Sequence, residues 1–426
     1  MTTDRRTFLR RSAAASLGAP ALGILSGCAP SEGPPNDAPS LAELRAPEGT
    51  DDAAWAHVRA RFMLPDDIAY MNNASLGMPP RDVVDAVANG YAAISSEPLH
   101  GKHDLQAVIA EESVPAIARI FGASTEEIFL TRNATEALHL QSVGLGLEAG
   151  DEVLITTQEH PAGAKPWAYR AAAHGITVRE VFVPSPLDSA EAVVARFAEA
   201  IGPRTQAIAF CHVTRGGHRY PVRALCAMAR ERGLTTLVDG AQAVGQFPID
   251  VTELGCDAYS ASLHKWILGP TGTGFLYVNE DARPVFSSAF EPADGPTEDA
   301  YGPGGTADFP VRAALATATR FVEAIGLERV ERRCRWLSDY LKEGLATLDG
   351  CTLLSGPDAL SAPGSTIFEL DGLDAVESVP LMEEIARVHI DEHQRDGHNA
   401  IRVSTHIYTT RDEIDRLLQG LREARG

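Results

Sequence analysis

Two stretches, residues 238–242 (VDGAQ) and residues 258–266 (AYSASLHKW), decide the fold of this chain. In the first, Asp239 ends an apolar run of strand length, and in the second, Lys265 follows the next such run. Most basic positions in the sequence are arginine. The four lysines are Lys102, Lys165, Lys265 and Lys342. A lysine between a histidine and a tryptophan is therefore a candidate for amine chemistry rather than for routine surface charge.

Apolar runs alternate with segments of helical spacing along the middle of the chain. The predicted strands are residues 127–130, 151–155, 176–178, 206–210 and 235–238, and the predicted helices include residues 191–200 and 222–232. This alternation is typical of an α/β fold with a mostly parallel sheet that is covered by helices on both faces. Ligands of such sheets bind beyond the carboxyl ends of the strands, where Asp239 and Lys265 lie.

The pattern changes after residue 300. Residues 311–325, 328–348 and 411–425 predict helices, and residues 366–370 and 401–404 predict strands. We therefore expect a large domain over residues 51–310 and a smaller α+β C-terminal domain over residues 311–426. Residues 51–81 are candidates for packing against the smaller domain.

The N-terminus predicts export. Arg5 and Arg6 precede an apolar run over residues 13–25 that is too short to span a bilayer, as in a twin-arginine signal. Residues 25–28 (LSGC) resemble the lipobox of bacterial lipoproteins, in which Cys28 would carry a lipid anchor. The alternative is an ordinary cleavage site with an incidental cysteine. Residues 1–28 thus predict a signal, and residues 29–50, rich in Pro, Ser, Glu and Asp, predict a flexible tether.

Composition excludes some partners. A net charge of −21 disfavours a nucleic-acid or anionic-membrane partner, while 44% apolar and 22% charged residues are ordinary for a globular protein. Five cysteines beyond Cys28 are irregularly spaced and odd in number, which predicts buried apolar side chains rather than a disulfide framework or a zinc site. They are Cys211, Cys226, Cys256, Cys334 and Cys351.

Asp239 and Lys265 together supply what pyridoxal phosphate (PLP) requires. A lysine condenses with the aldehyde of PLP, and a carboxylate at the pyridine nitrogen keeps the ring protonated, so that the ring can accept electrons from the substrate. The phosphate needs a cradle, such as a helix N-terminus with hydroxyl groups. Residues 133–135 (NAT) lie where such a terminus is expected.

With these motifs in this order, the chain resembles fold-type I PLP enzymes of the aminotransferase class V family, and in particular the isopenicillin-N-epimerase-like branch. The resemblance runs from about Met71 to the end. It implies that Lys265 bonds PLP and moves the proton at Cα, that Asp239 pairs with the pyridinium, and that His160 stacks on the ring. It further implies that Gln242 bonds the ring hydroxyl. The phosphate would be held by Ala134, Thr135, Ser262 and His264.

The same resemblance implies a homodimer and a substrate site. Residues 305–306 resemble the segment in which a residue such as Thr306 reaches the phosphate of the neighbouring subunit. Arg402 matches the arginine that grips a substrate carboxylate with its two-pronged guanidinium. Asn73 matches an N-terminal residue that lines the same site.

Each of these residues has a structural alternative. Asp, Gln and Thr at strand ends often cap helices. His160 could be a partly buried histidine with satisfied hydrogen bonds, Arg402 could form a structural ion pair, and Asn73 could belong to a turn.

Two stretches depart from the family pattern. Cysteine desulfurases need a nucleophilic cysteine on a C-terminal loop, and residues 388–395 (VHIDEHQR) contain none. Residues 214–219 (TRGGHR) carry Arg215, His218 and Arg219 where relatives have small hydroxyl residues. These basic side chains could recognise an acidic substrate group or could form a solvated loop.

The sequence therefore predicts an exported PLP enzyme in the periplasm or on the outer face of the membrane. Its substrate would be a small molecule with an amino group, an amino acid or peptide-like metabolite. The outcome could be transamination, epimerisation or elimination, and tailoring of a secreted product fits the location. One alternative is a PLP-dependent C–S lyase. Another is a catalytically silent binding lipoprotein, which the intact Asp239 and Lys265 disfavour.

Overall fold

A seven-stranded sheet forms the centre of the computed structural model, which describes residues 41, 44–287, 301 and 305–425. The strands run in the spatial order β2-β8-β7-β6-β5-β3-β4, and only β8 is antiparallel to its neighbours. They are β2 Ile128–Thr131, β3 Glu152–Thr156, β4 Thr177–Val181, β5 Thr205–Cys211, β6 Thr235–Asp239, β7 Ala258–Ser262 and β8 Gly274–Val278. The α/β fold class predicted from the alternating pattern is confirmed.

Helices cover both faces of this sheet. The helices up to this point of the chain are α1 Asp52–Arg59, α2 Arg81–Ser96, α3 Pro98–Val108, α4 Val114–Phe121, α5 Ala134–Gly144, α6 Pro161–His174, α7 Ala190–Ala200, α8 Val222–Arg230 and α9 Val251–Leu254. In β5, Ile208 and Phe210 belong to one hydrophobic cluster, while Ala207 and Ala209 belong to the cluster on the other face. Burial on both faces explains why the strands are continuous apolar runs.

A smaller antiparallel sheet lies in the C-terminal part, in the order β12-β13-β10-β9. Its strands are β9 Cys351–Leu353, β10 Ser365–Leu370, β12 Asp391–His393 and β13 Ala400–Ser404. The accompanying helices are α10 Phe309–Ala313, α11 Leu315–Ile325, α12 Leu327–Leu345, α13 Ala375–Ala386 and α14 Arg411–Arg425. The prediction of a single helix over residues 311–325 is wrong in one respect, because the helix is interrupted at Ala314, which separates α10 from α11.

The N-terminal segment packs on the C-terminal part, as predicted for residues 51–81. β1 (Ala69–Tyr70) pairs in parallel with β11 (Val388–His389). Packing begins before residue 51, since Leu44 contacts a hydrophobic cluster and the Thr50 carbonyl accepts a 2.6 Å hydrogen bond from Arg333 Nη1. The chain from Leu41 onward forms one compact unit, so the division at residues 310 and 311 stays a prediction.

The export signal and the proposed lipidation site at Cys28 lie outside the described residues. None of the helices within the described ranges is long and apolar enough to cross a membrane. The later cysteines are free thiols, as predicted, and all but the half-buried Cys351 are buried.

Candidate active site

The carboxyl ends of β6 and β7 meet at one cleft. These strands are parallel neighbours, with Asp239 opposite Ser260, so Asp239 and Lys265 reach the same edge of the sheet. Seven predicted residues line this cleft: Ala134, Thr135, His160, Asp239, Gln242, Ser262 and Lys265. These seven residues are spread over residues 134–265 of the sequence, and the parallel strands bring them together at one edge of the sheet.

The backbone around Lys265 makes close contacts with two glycines, Gly77 and Gly245. The Gly77 amide donates to the His264 carbonyl at 2.8 Å, and a Cβ at Gly77 would lie 1.9 Å from the Lys265 carbonyl oxygen. Gly245, at φ +101°, approaches Trp266 so closely that a Cβ would lie 2.4 Å from its carbonyl carbon. Only glycine fits both positions, and the amine is held by a rigid backbone.

Lys265 is half-buried at the cleft. Among the described residues, its Nζ makes no hydrogen bond. Desolvation is the main cause that lowers its pKa from 10.5 to about 8; the charge of Arg402 acts in the same direction, and that of Asp239 opposes it. A large fraction of this amine is therefore neutral near pH 8, which is the form that attacks an aldehyde.

Asp239 is buried at the end of β6. Burial raises its pKa above the ordinary value, while a 2.9 Å hydrogen bond from the Ala241 amide and the nearby Lys265 lower it. The amide bond occupies Oδ1. A buried carboxylate of this kind suits a protonated ring nitrogen, because the ring would replace the lost water with an opposite charge.

The N-terminus of α5 forms the proposed phosphate cradle. Asn133 caps this helix by accepting a 2.9 Å hydrogen bond from the Glu136 amide, which leaves the first helical residues, Ala134 and Thr135, facing the cleft. Ser262 Oγ accepts from the Ala134 amide at 3.0 Å. Backbone amides and hydroxyls at a helix N-terminus favour an anion such as phosphate.

His160 caps α6 and faces the cleft as a neutral ring. Its Nδ1 accepts a 3.1 Å hydrogen bond from the Ala162 amide. Desolvation of the ring and the Lys265 charge lower its pKa to about 4. A neutral imidazole at the cleft surface suits stacking against an aromatic ring. The capping bond satisfies one ring nitrogen, but the residue is exposed, so the alternative of a partly buried histidine is wrong in that respect.

Gln242 lines the cleft with both amide atoms already paired. Its Oε1 accepts from Trp266 Nε1 at 2.9 Å, and its Nε2 donates to the Ala74 carbonyl at 2.8 Å. A bond to the ring hydroxyl would have to share or replace one of these contacts, so that role stays a prediction.

Four predicted residues do not line the cleft. His264 Nδ1 pairs with the Thr273 carbonyl at 2.8 Å, and Thr306 is exposed.

Asn73 is fully buried, and its Nδ2 donates to the Lys265 carbonyl at 3.4 Å. Arg402 is buried and ion-paired with Asp391. Their proposed roles stay predictions.

The two arginines of residues 214–219 point to different places. Arg215 lines the cleft, whereas the Arg219 guanidinium lies 4.2 Å above the Phe247 ring in a separate cavity. His218 is buried and pairs with Ser185 Oγ at 2.7 Å. Of the three basic side chains, Arg215 alone faces the candidate site.

Glu159 is a buried carboxyl beside the site that sequence reasoning missed. Its Oε1 accepts from Thr156 Oγ1 at 2.6 Å and from the Cys211 amide at 3.1 Å. Burial is the main cause that raises its pKa from 4.5 to about 8, and the charge of Asp239 adds to it. The available signal was its place directly before His160, a residue predicted to belong to the site.

Comparison with known proteins identifies the family. The aminotransferase class-V family model matches residues 69–417. The chain belongs to the aminotransferase class-V family. Isopenicillin N epimerase of Streptomyces clavuligerus is 32% identical over 87% of this chain and 98% of its own length. Cysteine desulfurase of Pectobacterium atrosepticum is 31% identical over 83% of this chain and 92% of its own length.

Solved structures agree with this assignment. A mutant of C-DES with glycine covalently linked to its PLP cofactor is 27% identical, with a TM-score of 0.77 over 86% of this chain and 98% of that chain. The class-V chain described here is thus a PLP-dependent enzyme of fold type I, and the cofactor prediction is confirmed.

We expect the lowered pKa of Lys265 to govern cofactor capture. In cofactor-depleted protein, the rate of PLP attachment should rise about tenfold per pH unit below pH 8 and level off above it, because the neutral amine is the nucleophile. Borohydride trapping followed by peptide mapping measures the attachment. Lys265→Ala should abolish labelling and Lys165→Ala, at an exposed position, should retain it; labelling that rises up to pH 10 would contradict the assignment.

We expect Glu159 to make the stability of the cofactor-depleted protein depend on pH. Because its folded pKa of about 8 exceeds 4.5, the folded state holds an extra proton between these values, and stability falls as pH rises through that window. Glu159→Gln removes this titration. The stability of the variant relative to the parent should therefore increase from pH 5 to pH 9, by about 2–4 kcal/mol.

Chemical unfolding at the two pH values measures this difference. Glu180→Gln, at an exposed position on β4, is the matched control and should show none. Equal stability differences for Glu159→Gln at pH 5 and pH 9 would show that the carboxyl is ionised in the folded protein.

Proposed function

We propose that this class-V enzyme acts at Cα of an amino acid or peptide-like metabolite, with epimerisation or transamination as the outcome. The observation that carries the proposal is the half-buried Lys265 amine, with its pKa lowered to about 8 by desolvation, in one cleft with the buried carboxylate of Asp239. The 32% identity to two isopenicillin N epimerases favours epimerisation.

We assign each residue of the cleft a separate chemical role in this reaction. PLP, when bound, supplies an aldehyde for the substrate amine and a ring that withdraws electrons from Cα. The Lys265 amine would take the Cα proton and return it, because its pKa of about 8 suits both directions near neutral pH. Asp239 would keep the ring nitrogen protonated, and the N-terminus of α5 would hold the phosphate.

A C–S lyase activity is the second candidate. Its support is the similarity to C-DES, which one 27% identical structure describes as a cystine C–S lyase. The strands β11 and β12 and their connection carry no cysteine that could accept sulfur. Cys211 lines the cleft, but burial raises its pKa well above the ordinary value and keeps it a thiol.

We further propose that the enzyme is exported in its folded form and works as a homodimer in the periplasm or on the outer face of the membrane. The support for export is the sequence from Arg5 to Cys28. The support for the dimer is Thr306, which is exposed and does not line the cleft of its own chain. These proposals rest on the family resemblance and on sequence patterns.

We expect the purified enzyme to exchange the Cα proton of its substrate with solvent. Amino acids incubated with the enzyme in D2O should lose the Cα proton signal in NMR spectra, and chiral chromatography should detect the opposite enantiomer. Lys265→Ala should abolish exchange. Formation of the keto acid with the unchanged side chain of the amino acid would indicate transamination. Conversion of cystine to cysteine persulfide, pyruvate and ammonia, without Cα exchange of other amino acids, would favour the lyase and contradict the first proposal.

We expect two substitutions to separate export from anchoring. Changing Arg5 and Arg6 together to lysine should leave the enzyme in the cytoplasm, because the export machinery reads the arginine pair. Cys28→Ser should permit export but release the enzyme from the membrane, because the lipid has no attachment atom. Cell fractionation with immunoblotting measures both. Membrane attachment of Cys28→Ser equal to that of the parent would contradict the lipid anchor.

A further inference from the structure

Arg402 is buried with an incompletely used guanidinium. It lies on β13, 3% exposed, directly across from Asp391 on β12. Its Nη2 donates to Asp391 Oδ2 and, at 3.2 Å, to Asn72 Oδ1. Its Nε is buried and, among the described residues, has no acceptor. A buried N–H of a charged group without a partner is costly and points to a missing acceptor.

The Nε and Nη2 groups form one edge of the guanidinium. A carboxylate binds such an edge with two parallel hydrogen bonds, one to each nitrogen. In the free enzyme, Asp391 occupies Nη2 and leaves Nε unsatisfied. A second carboxylate that bound this edge in full would satisfy Nε and would compete with Asp391 and Asn72 for the two N–H groups of Nη2. Asp391 is the acceptor that it would displace, because the two carboxylates carry like charges and Asn72 is neutral.

Asp391 also connects Arg402 to the cleft. The same Oδ2 accepts from Arg215 Nη2 at 3.4 Å, and Arg215 bonds Glu392 Oε1 at 2.8 Å. Arg215 lines the cleft beside Lys265. Asp391 is 24% exposed, so it can move toward solvent, whereas the arginine it leaves behind cannot. The carboxylate of Asp391 is thus held between a buried arginine and an arginine of the cleft wall.

We propose that Asp391 is a specificity-determining residue that holds the carboxylate-binding edge of Arg402 until a substrate carboxylate displaces it. This inference rests on the proposed function in requiring an amino acid substrate. An amine without a carboxylate gains nothing from Arg402 and leaves Asp391 in place. A substrate carboxylate would accept two hydrogen bonds from Arg402, whereas Asp391 accepts one. This difference selects for amino acids over simple amines.

The first test compares affinities in the holoenzyme. Spectral titration of the bound cofactor gives the dissociation constant of the amino acid that turns over and of the amine that lacks only its carboxylate. Asp391→Asn removes the competing charge but keeps an acceptor for Nη2. We expect it to bind the amino acid about tenfold more tightly and the amine unchanged. Glu392→Gln removes the neighbouring charge on β12, whose carboxylate accepts from Arg215 and from the Gln394 amide and makes no hydrogen bond to Arg402 among the described residues. It should change the affinity for neither ligand more than about twofold.

The second test measures melting temperature rather than substrate binding. Asp391→Ala leaves Arg402 buried without its counter-ion and should lower the melting temperature of the holoenzyme. Sodium acetate should restore it saturably, and sodium chloride at equal ionic strength should not. Glu392→Ala should show no acetate-specific effect.

The outcomes separate this inference from the proposed function. Weaker or unchanged amino acid binding by Asp391→Asn, or equal effects of acetate and chloride on Asp391→Ala, would show that Asp391 is a structural counter-ion and overturn the inference. If no amino acid perturbs the cofactor of the parent enzyme, the proposed function fails. The acetate series then still decides whether Asp391 fills a carboxylate site.

Discussion

The desolvation of one amine in the same cleft as one buried carboxylate is the constraint on which the site depends. Removing Lys265 from water favours its neutral form, and removing Asp239 from water raises its pKa, so each group disfavours its own charge. Their proximity limits both shifts. The pair can be held this way because β6 and β7 are central, adjacent strands, and because Gly77 and Gly245 fix the backbone around Lys265.

Acidic and basic side chains lie at different parts of the cleft. Asp239 and Glu159 are buried carboxyls under one part of it, and Arg215 lines its wall with Arg402 behind. Because the arginines are held by the acidic residues of β12, the basic part carries little net charge in the free enzyme. For the proposed amino acid substrate, this arrangement directs the carboxylate toward the arginines and leaves the amine near Lys265.

Much of the fold could be predicted because its signals are local. Continuous apolar runs mark strands that are buried on both faces, and the predicted strands agree with the observed ones to within a few residues. The interruption of the helix at Ala314 could not be predicted from the local sequence. There the Ala313 carbonyl accepts a hydrogen bond from Ser113, a residue two hundred positions away, so tertiary contact decides where the helix ends.

By itself, the sequence determined the family, the cofactor and the placing of Asp239 and Lys265 in one site, since Asp239 ends one strand and Lys265 follows the next, and the ends of these parallel strands share one edge of the sheet. Only the tertiary structure decided which arginine faces the cleft and what each arginine binds. Arg215 and Arg219 are four residues apart and look equivalent in sequence, yet a turn sends them to different cavities. Likewise, Glu159 owes its burial, and Asp391 its arginine partners, to packing between distant segments, which no local pattern encodes.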